Sequence, residues 1–291
     1  MPPSTVVVDS PVLFDPGAAV TEWSAVRPLP PLAEPSFGEG WTWQILPDGL
    51  MYRSYLAGGR ESRFASHWAG TNDGDSVWDI TLGGRVGVLR YGTDDPLWPE
   101  GWQIGLEGAA FPRLTLDTQR DLVAVDFRVG VPLTFHQGPW ETKFAYYHLS
   151  SHLGDEFILK NPQVARLNYA RDAFVFGLGW RPHADWRLYG EVGYAFYIAG
   201  GAAPWEFQFG AEFSPMQPTT FRGAPFVAVN SRLREEVNYS GNLTAQAGWQ
   251  WRGTSGHLFR MGYLYFNGKS DQFQFHREHE QLHAVGLWYD Y

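Results

Sequence analysis

Residues 206–213 read Glu206-Phe207-Gln208-Phe209-Gly210-Ala211-Glu212-Phe213. Every odd position is apolar and every even one is polar or glycine. That is the period-two signature of a strand with two unlike faces. The pattern repeats along the chain. Asp172 to Trp180 sets Phe174, Phe176, Leu178 and Trp180 on one face. Arg187 to Ile198 sets Leu188, Val192, Tyr194, Phe196 and Ile198 on one face, with Arg187 and Glu191 opposite. Leu122 to Val131 and Thr244 to Arg252 behave alike. The alternation predicts about twelve strands, over 51–70, 76–91, 102–111, 121–134, 139–151, 166–182, 186–198, 204–213, 224–234, 239–252, 257–267 and 281–291. No helical period interrupts them, so the class is all-β and the sheet antiparallel and up-and-down. A sheet that large leaves costly edges unless it closes, and closure makes a β-barrel.

Composition narrows the function classes. The 291 residues are 44% hydrophobic and 18% charged, enough apolar material for one sizeable domain and too much for general disorder. The absence of cysteine excludes disulfide scaffolds, thiolate zinc sites and cysteine nucleophiles. A net charge of −9 without a basic stretch argues against a nucleic-acid partner. No long apolar run predicts a transmembrane helix. The first thirty or so residues carry no basic start followed by an apolar core, so no signal peptide is read there. Prolines at 2, 3, 11, 16, 28, 30, 31 and 35 mark residues 1–48 as an extended periplasmic segment, leaving 49–291 as the barrel.

The direction of the apolar face separates a soluble barrel from a transmembrane one. Apolar residues of a soluble barrel point inward; those of a membrane barrel meet lipid while polar residues line the lumen. The polar face here carries Asp79, Arg85, Glu107, Asp126, Arg128, Glu141, Lys143, Arg187, Glu191, Glu206 and Glu212. Both signs are represented, as expected of groups paired across a confined interior. The apolar face is aromatic and branched, with Trp and Tyr toward strand ends, as in an interfacial girdle. Short inner turns at His136–Pro139, Pro182–Asp185 and Gly253–Gly256 contrast with long outer connections at 152–165 and 268–280, while 92–101 and 214–223 are longer and 199–203 shorter than strict alternation prefers. The expected location is therefore the bacterial outer membrane, with membrane lipids as partners. The closing residues Val285, Leu287, Tyr289 and Tyr291 share one face. They resemble the C-terminal signal read by the barrel-assembly machinery, a second expected partner.

One constellation carries potential chemistry. On the strand 139–151, Trp140, Phe144 and Tyr146 share the lipid-facing parity, and His148, Ser150 and His152 continue it. A His and a Ser two positions apart on one face are neighbours, so an imidazole can take the serine proton. Polar groups on the lipid face are expensive unless they meet headgroups or each other. On the next strand Asn168 and Asp172 share the outward parity, and either can orient His148. Asp155 and Glu156 in the loop are further options.

This outward His-x-Ser resembles the site of outer-membrane phospholipase A, a twelve-stranded barrel, and that of lipid A 3-O-deacylase. The resemblance covers His148 and Ser150 alone. It implies a general base and a nucleophile, with an Asn or an acid orienting the base. Those families continue the motif with Asn-Gly or nearly so; here Ser151-His152 follows. A wider resemblance is to the bacterial domain-of-unknown-function family 1207. It rests on Trp43-Gln44-Ile45-Leu46-Pro47-Asp48-Gly49-Leu50, on Tyr52-Arg53-Ser54-Tyr55-Leu56-Ala57-Gly58 and on Ser150-Ser151-His152-Leu153-Gly154-Asp155-Glu156. It implies an exported barrel and no particular activity.

The expected function is thus an outer-membrane serine hydrolase of phospholipid or lipopolysaccharide acyl esters, with His148, Ser150 and Asn168 or Asp172 at its site. The alternatives are a non-catalytic barrel (narrow pore, adhesin or envelope organiser) and a soluble ligand-binding barrel. No cofactor is required, although calcium is compatible with this class, and a homodimer is an admissible assembly. Two weaker patterns suit metals. His276, His279 and His283 stand with Glu278 and Glu280, and Thr71-Asn72-Asp73-Gly74-Asp75 offers oxygen ligands. A solvated loop and a hairpin turn explain them as well.

Overall fold

The computed structural model describes residue 38, residues 40–72 and residues 74–291. Most of the proline-bearing segment therefore lies outside the described residues. The strands are β1 (Thr42–Ile45), β2 (Phe64–Thr71), β3 (Ser76–Gly92), β4 (Gly101–Thr115), β5 (Leu122–Gln137), β6 (Trp140–Leu153) and β7 (Ala170–His183). They continue as β8 (Trp186–Ala199), β9 (Trp205–Phe213), β10 (Ala224–Arg234), β11 (Gly241–Arg252), β12 (Leu258–Lys269) and β13 (His279–Asp290). One short helix, α1 (Asp155–Lys160), stands between β6 and β7.

Strands β2 to β13 each pair antiparallel with their chain neighbours, and β13 returns to β2 from Leu282↔Thr71 to Tyr289↔Phe64. That last ladder closes a twelve-stranded barrel. β1 adds a short pairing on β3, from Thr42↔Gly92 to Ile45↔Leu89. At the end bearing the barrel's first and last residues, Gly138 takes φ +57° in a two-residue turn, which fixes Gln137 opposite Trp140.

The outward face is the apolar one. Phe174, Phe176, Phe207 and Phe209 are 45%, 51%, 37% and 47% exposed, while Asp126 and Arg187 are fully buried. A soluble barrel would reverse this, so the soluble ligand-binding alternative is overturned. The fold is that of an outer-membrane barrel.

The first predicted strand, 51–70, needs correction. Only Phe64–Thr71 belongs to the sheet. Residues 51–57 pass inside the barrel, where Met51, Tyr52, Tyr55, Leu56 and Ala57 are buried. Tyr55 stacks on Tyr189 with centroids 3.8 Å apart and donates to Glu191 Oε2 at 2.9 Å. The Leu56 amide donates to Glu212 Oε2 at 2.9 Å. A wall studded with charges gives this segment polar partners that a strand would have found in a ladder.

Lumen carboxylates are shared between cations. Glu206 accepts from Arg171 at 3.1 Å and from Arg232 at 2.8 Å; Glu107 bridges Arg85 and Arg128; Glu141 pairs with Arg187. Desolvation makes each isolated charge costly, so this matching is what permits so many in one interior. At the far end, residues 270–278 fold back over the opening. Phe273 is fully buried, stacks on Tyr169 at 4.7 Å and lies beneath the guanidinium groups of Arg60 and Arg232. Gln274 Nε2 ties this cap to the carbonyls of Ser151 and Leu167, both at 2.8 Å. Between inner segment and cap remains a cavity of about 70 Å³. Among the described residues, the inner segment and the cap occupy much of the lumen.

Candidate functional site

Strand β6 alternates without a bulge, so its outward set runs Trp140, Thr142, Phe144, Tyr146, His148, Ser150 and His152. His148 lies eight residues beyond Trp140. At about 3.3 Å per residue and a tilt of about 40°, that is roughly 20 Å up an apolar band of about 25 Å. The His-x-Ser pair therefore sits toward the end of the band opposite the barrel termini.

Register then decides the partner of His148. β6 and β7 place His148 directly opposite Asp172 and Ser150 opposite Ala170. The His148 Nδ1 lies 2.9 Å from Asp172 Oδ1, and the Tyr146 hydroxyl donates to the same oxygen at 2.7 Å. A carboxylate only accepts, so Nδ1 of His148 carries a proton, and in the neutral ring Nε2 holds the free lone pair. The His148 side chain is 40% exposed and Asp172 21%. The pair is thus open to a molecule approaching from outside the barrel. Phe174 and Phe196 pack around Tyr146, with ring centroids 6.3 Å away in each case.

Of the residues singled out in the sequence, His148 and Asp172 are joined, and Ser150 shares their face two positions along. Asn168 is exposed and precedes β7 in the connection from α1, and its side chain makes no hydrogen bond with His148. Asp155 and Glu156 lie in the first turn of α1, and the carboxylate on His148 is that of Asp172. Ser150 Oγ makes no hydrogen bond with His148 in this state. Tyr146 was missed as a ligand of Asp172. The signal was available, since it lies two residues before His148 on the same parity.

Two further features border the site. A depression of about 320 Å³ opens on the outer surface beside His148, lined by Leu82, Gly108, Phe127 and Val129. Gly108 has no side chain to fill it, and a Cβ there would meet only the Arg128 carbonyl at 3.5 Å. On the other side of Ser150, Arg166 reaches from the β6–β7 connection to His152 Nδ1 at 3.0 Å.

The metal patterns do not assemble. His276 is buried in the cap with Nδ1 2.8 Å from the Phe273 carbonyl; Glu280 points inward to Arg113; His283 points outward to Tyr263. In the first turn, Asp73 lies outside the described residues. Among the described residues, no group of three or more His, Asp or Glu is arranged to hold a metal ion.

Residues 41–291 match the family described as "Protein of unknown function (DUF1207)". The chain belongs to this family. Sequence similarity goes no further, because no curated protein matches the chain. Among solved structures, the DUF1207 barrel is similar to outer membrane phospholipase A from Escherichia coli. The TM-score is 0.54 at 10% identity, over 78% of this chain and 89% of that one. It is equally similar to the Salmonella typhi outer membrane phospholipase, solved as a dimer with bound calcium. There the TM-score is 0.53 at 10% identity, over 78% of this chain and 90% of that one. At that identity the likeness establishes the barrel fold.

Proposed function

We propose that this DUF1207 barrel is a serine hydrolase of membrane-lipid acyl esters, with Ser150 as nucleophile, His148 as general base and Asp172 as its orienting acid. The observation that carries the reading is the 2.9 Å contact between His148 Nδ1 and Asp172 on the outward face, with Ser150 two residues along. It leaves Nε2 of His148 as the proton acceptor, the arrangement that activates a hydroxyl. The apolar depression beside His148 suits an acyl chain entering from the bilayer.

In the first step Ser150 Oγ attacks the ester carbonyl carbon and passes its proton to His148 Nε2. The carbonyl π pair moves onto oxygen. Collapse of the tetrahedral intermediate breaks the bond to the alcohol, which leaves with the proton from His148. Water then attacks the acyl-serine and gives its proton to His148, which returns it to Ser150 as the fatty acid departs. Asp172 holds the tautomer and stabilises the imidazolium. Calcium and a second copy of the chain remain conditions of the assay, and no step is routed through either.

The test is ester hydrolysis by detergent-refolded protein on a phospholipid and on a lipopolysaccharide, with and without calcium. The oligomeric state is measured alongside. Ser150→Ala and His148→Ala should abolish turnover while heat-modifiable gel migration is retained. Asp172→Asn should lower kcat by about 10⁴-fold, the scale found for the acid of serine-protease triads. Unchanged turnover in Ser150→Ala, or none at all in folded wild-type protein on either lipid, would overturn the reading.

A further inference from the structure

Ser150 stands between two histidines on one strand face, and their surroundings are opposite. His148 faces a carboxylate. His152 faces a guanidinium, with Arg166 Nη2 3.0 Å from its Nδ1. A guanidinium only donates, so Nδ1 of His152 is the acceptor and its ring proton sits on Nε2. The two neighbours therefore fix opposite tautomers. His148 presents a lone pair at Nε2, and His152 presents an N–H there. Among the described residues no carboxylate pairs with Arg166, which contacts His152 instead, so its charge is not cancelled locally. The acyl reaction needs both functions around the serine: a base for its proton, and donors for the negative charge that grows on the carbonyl oxygen.

We infer that His152 is a catalytic residue of this site. Its Nε2–H donates to the oxyanion of the tetrahedral intermediate, and Arg166 acts as a positioning residue that holds the donor tautomer. The inference rests on the proposed hydrolase reading and adds the half of the chemistry that His148, Ser150 and Asp172 do not supply. The geometry of the strand supports it. Outward positions 148, 150 and 152 follow one another at about 6–7 Å, so an acyl carbon on Ser150 Oγ has the base to one side and the donor to the other. The Phe127 ring lies against that of His152, with centroids 6.0 Å apart. The register places Phe127 opposite Ser150, so this wall also borders the reacting centre.

The experiment uses an alkyl fluorophosphonate, whose reaction with serine builds a tetrahedral phosphonyl centre bearing the same developing oxyanion. Serine Oγ bonds to phosphorus and fluoride leaves; His148 takes the serine proton. The second-order labelling rate is measured on the full refolded chain, with the labelled residue located by peptide mapping. Labelling of wild-type protein at Ser150, with His152→Ala slowed by about 10²–10³-fold, is the expected result. His152→Gln, which retains an N–H donor, should recover part of that rate. Arg166→Met should slow labelling, and added guanidinium ion should restore it; a purely structural loss would not respond. Turnover of a phospholipid by His152→Ala should show the same loss in kcat with KM nearly unchanged. A KM effect alone would recast His152 as a headgroup contact and overturn the inference. Equal labelling rates for wild type and His152→Ala would overturn it while leaving the hydrolase standing. Absence of labelling at Ser150 in folded wild-type protein would overturn both.

Discussion

Inserting a charge on the lipid face tests the barrel's orientation. β7 has 14 residues, and at about 3.3 Å per residue and about 40° of tilt it rises roughly 35 Å along the barrel axis. Phe176 is near its middle, points outward and is 51% exposed. Trp180 lies on the same face four residues nearer the terminal end, stacked on Trp140. The two are about 10 Å apart along the axis, so Trp180 approaches the edge of an apolar band about 25 Å tall. An arginine at the midplane costs about 2–4 kcal/mol, and near an interface about 0–1 kcal/mol. Phe176→Arg should therefore be destabilised by about 3 kcal/mol relative to Phe176→Ala, and Trp180→Arg by less than about 1 kcal/mol relative to Trp180→Ala. Using the alanine variants as references removes the lost aromatic area from both differences. The assay is reversible guanidinium unfolding in lipid vesicles, followed by tryptophan fluorescence. Equal costs at the two depths, or a neutral Phe176→Arg, would refute the placement of this face in hydrocarbon.

Two predictions concern the interior. Glu141→Gln should destabilise the barrel by about 3 kcal/mol in the same titration, the lower end of the cost of breaking a buried pair. The lower end applies because Arg187 keeps Glu212 at 3.3 Å. The cap should loosen in acid. His276 is buried with Arg234, Glu236 and Arg277 around it, and burial lowers its pKa below the ordinary 6.5. The neutral ring is thus the docked form. Its contribution is complete above about pH 6.5 and falls as pH drops from there through the lowered value. Amide exchange of Phe273 and Gln274, corrected for intrinsic rates, should show less protection at pH 5 than at pH 7.5. His276→Phe should remove the difference, and equal protection in the native chain would refute the coupling.

What could be read from the sequence follows from what period two encodes. It assigns faces, so the lipid-facing aromatics and the charged lumen were legible at Phe174, Phe176, Arg187 and Glu212. It is silent on register, which comes from the turns. Across the two-residue turn at Gly138 and Pro139 the alignment of β5 with β6 is nearly forced. Across the long connection 154–169 it is free, and so Asn168 and Asp172 were equivalent candidates for His148. Only the observed pairing of His148 with Asp172 separates them. The same limit hid Arg166, which lies outside any strand and reaches His152 from that connection. The inner segment failed differently. Residues 51–57 are rich enough in Tyr and Leu to pass for a strand, but their alternation is broken. Tyr52 and Tyr55 differ in parity yet join hydroxyls at 2.6 Å inside the lumen. Gly59 then brings the chain close to the cap, where an added Cβ would collide with the Asp271 carboxylate. An aromatic run with broken alternation before the first clean strand, in a barrel whose lumen charges outnumber what water alone need solvate, is better assigned to the interior than to the wall. That rule would have moved the start of β2 from Met51 to Phe64 using the sequence alone.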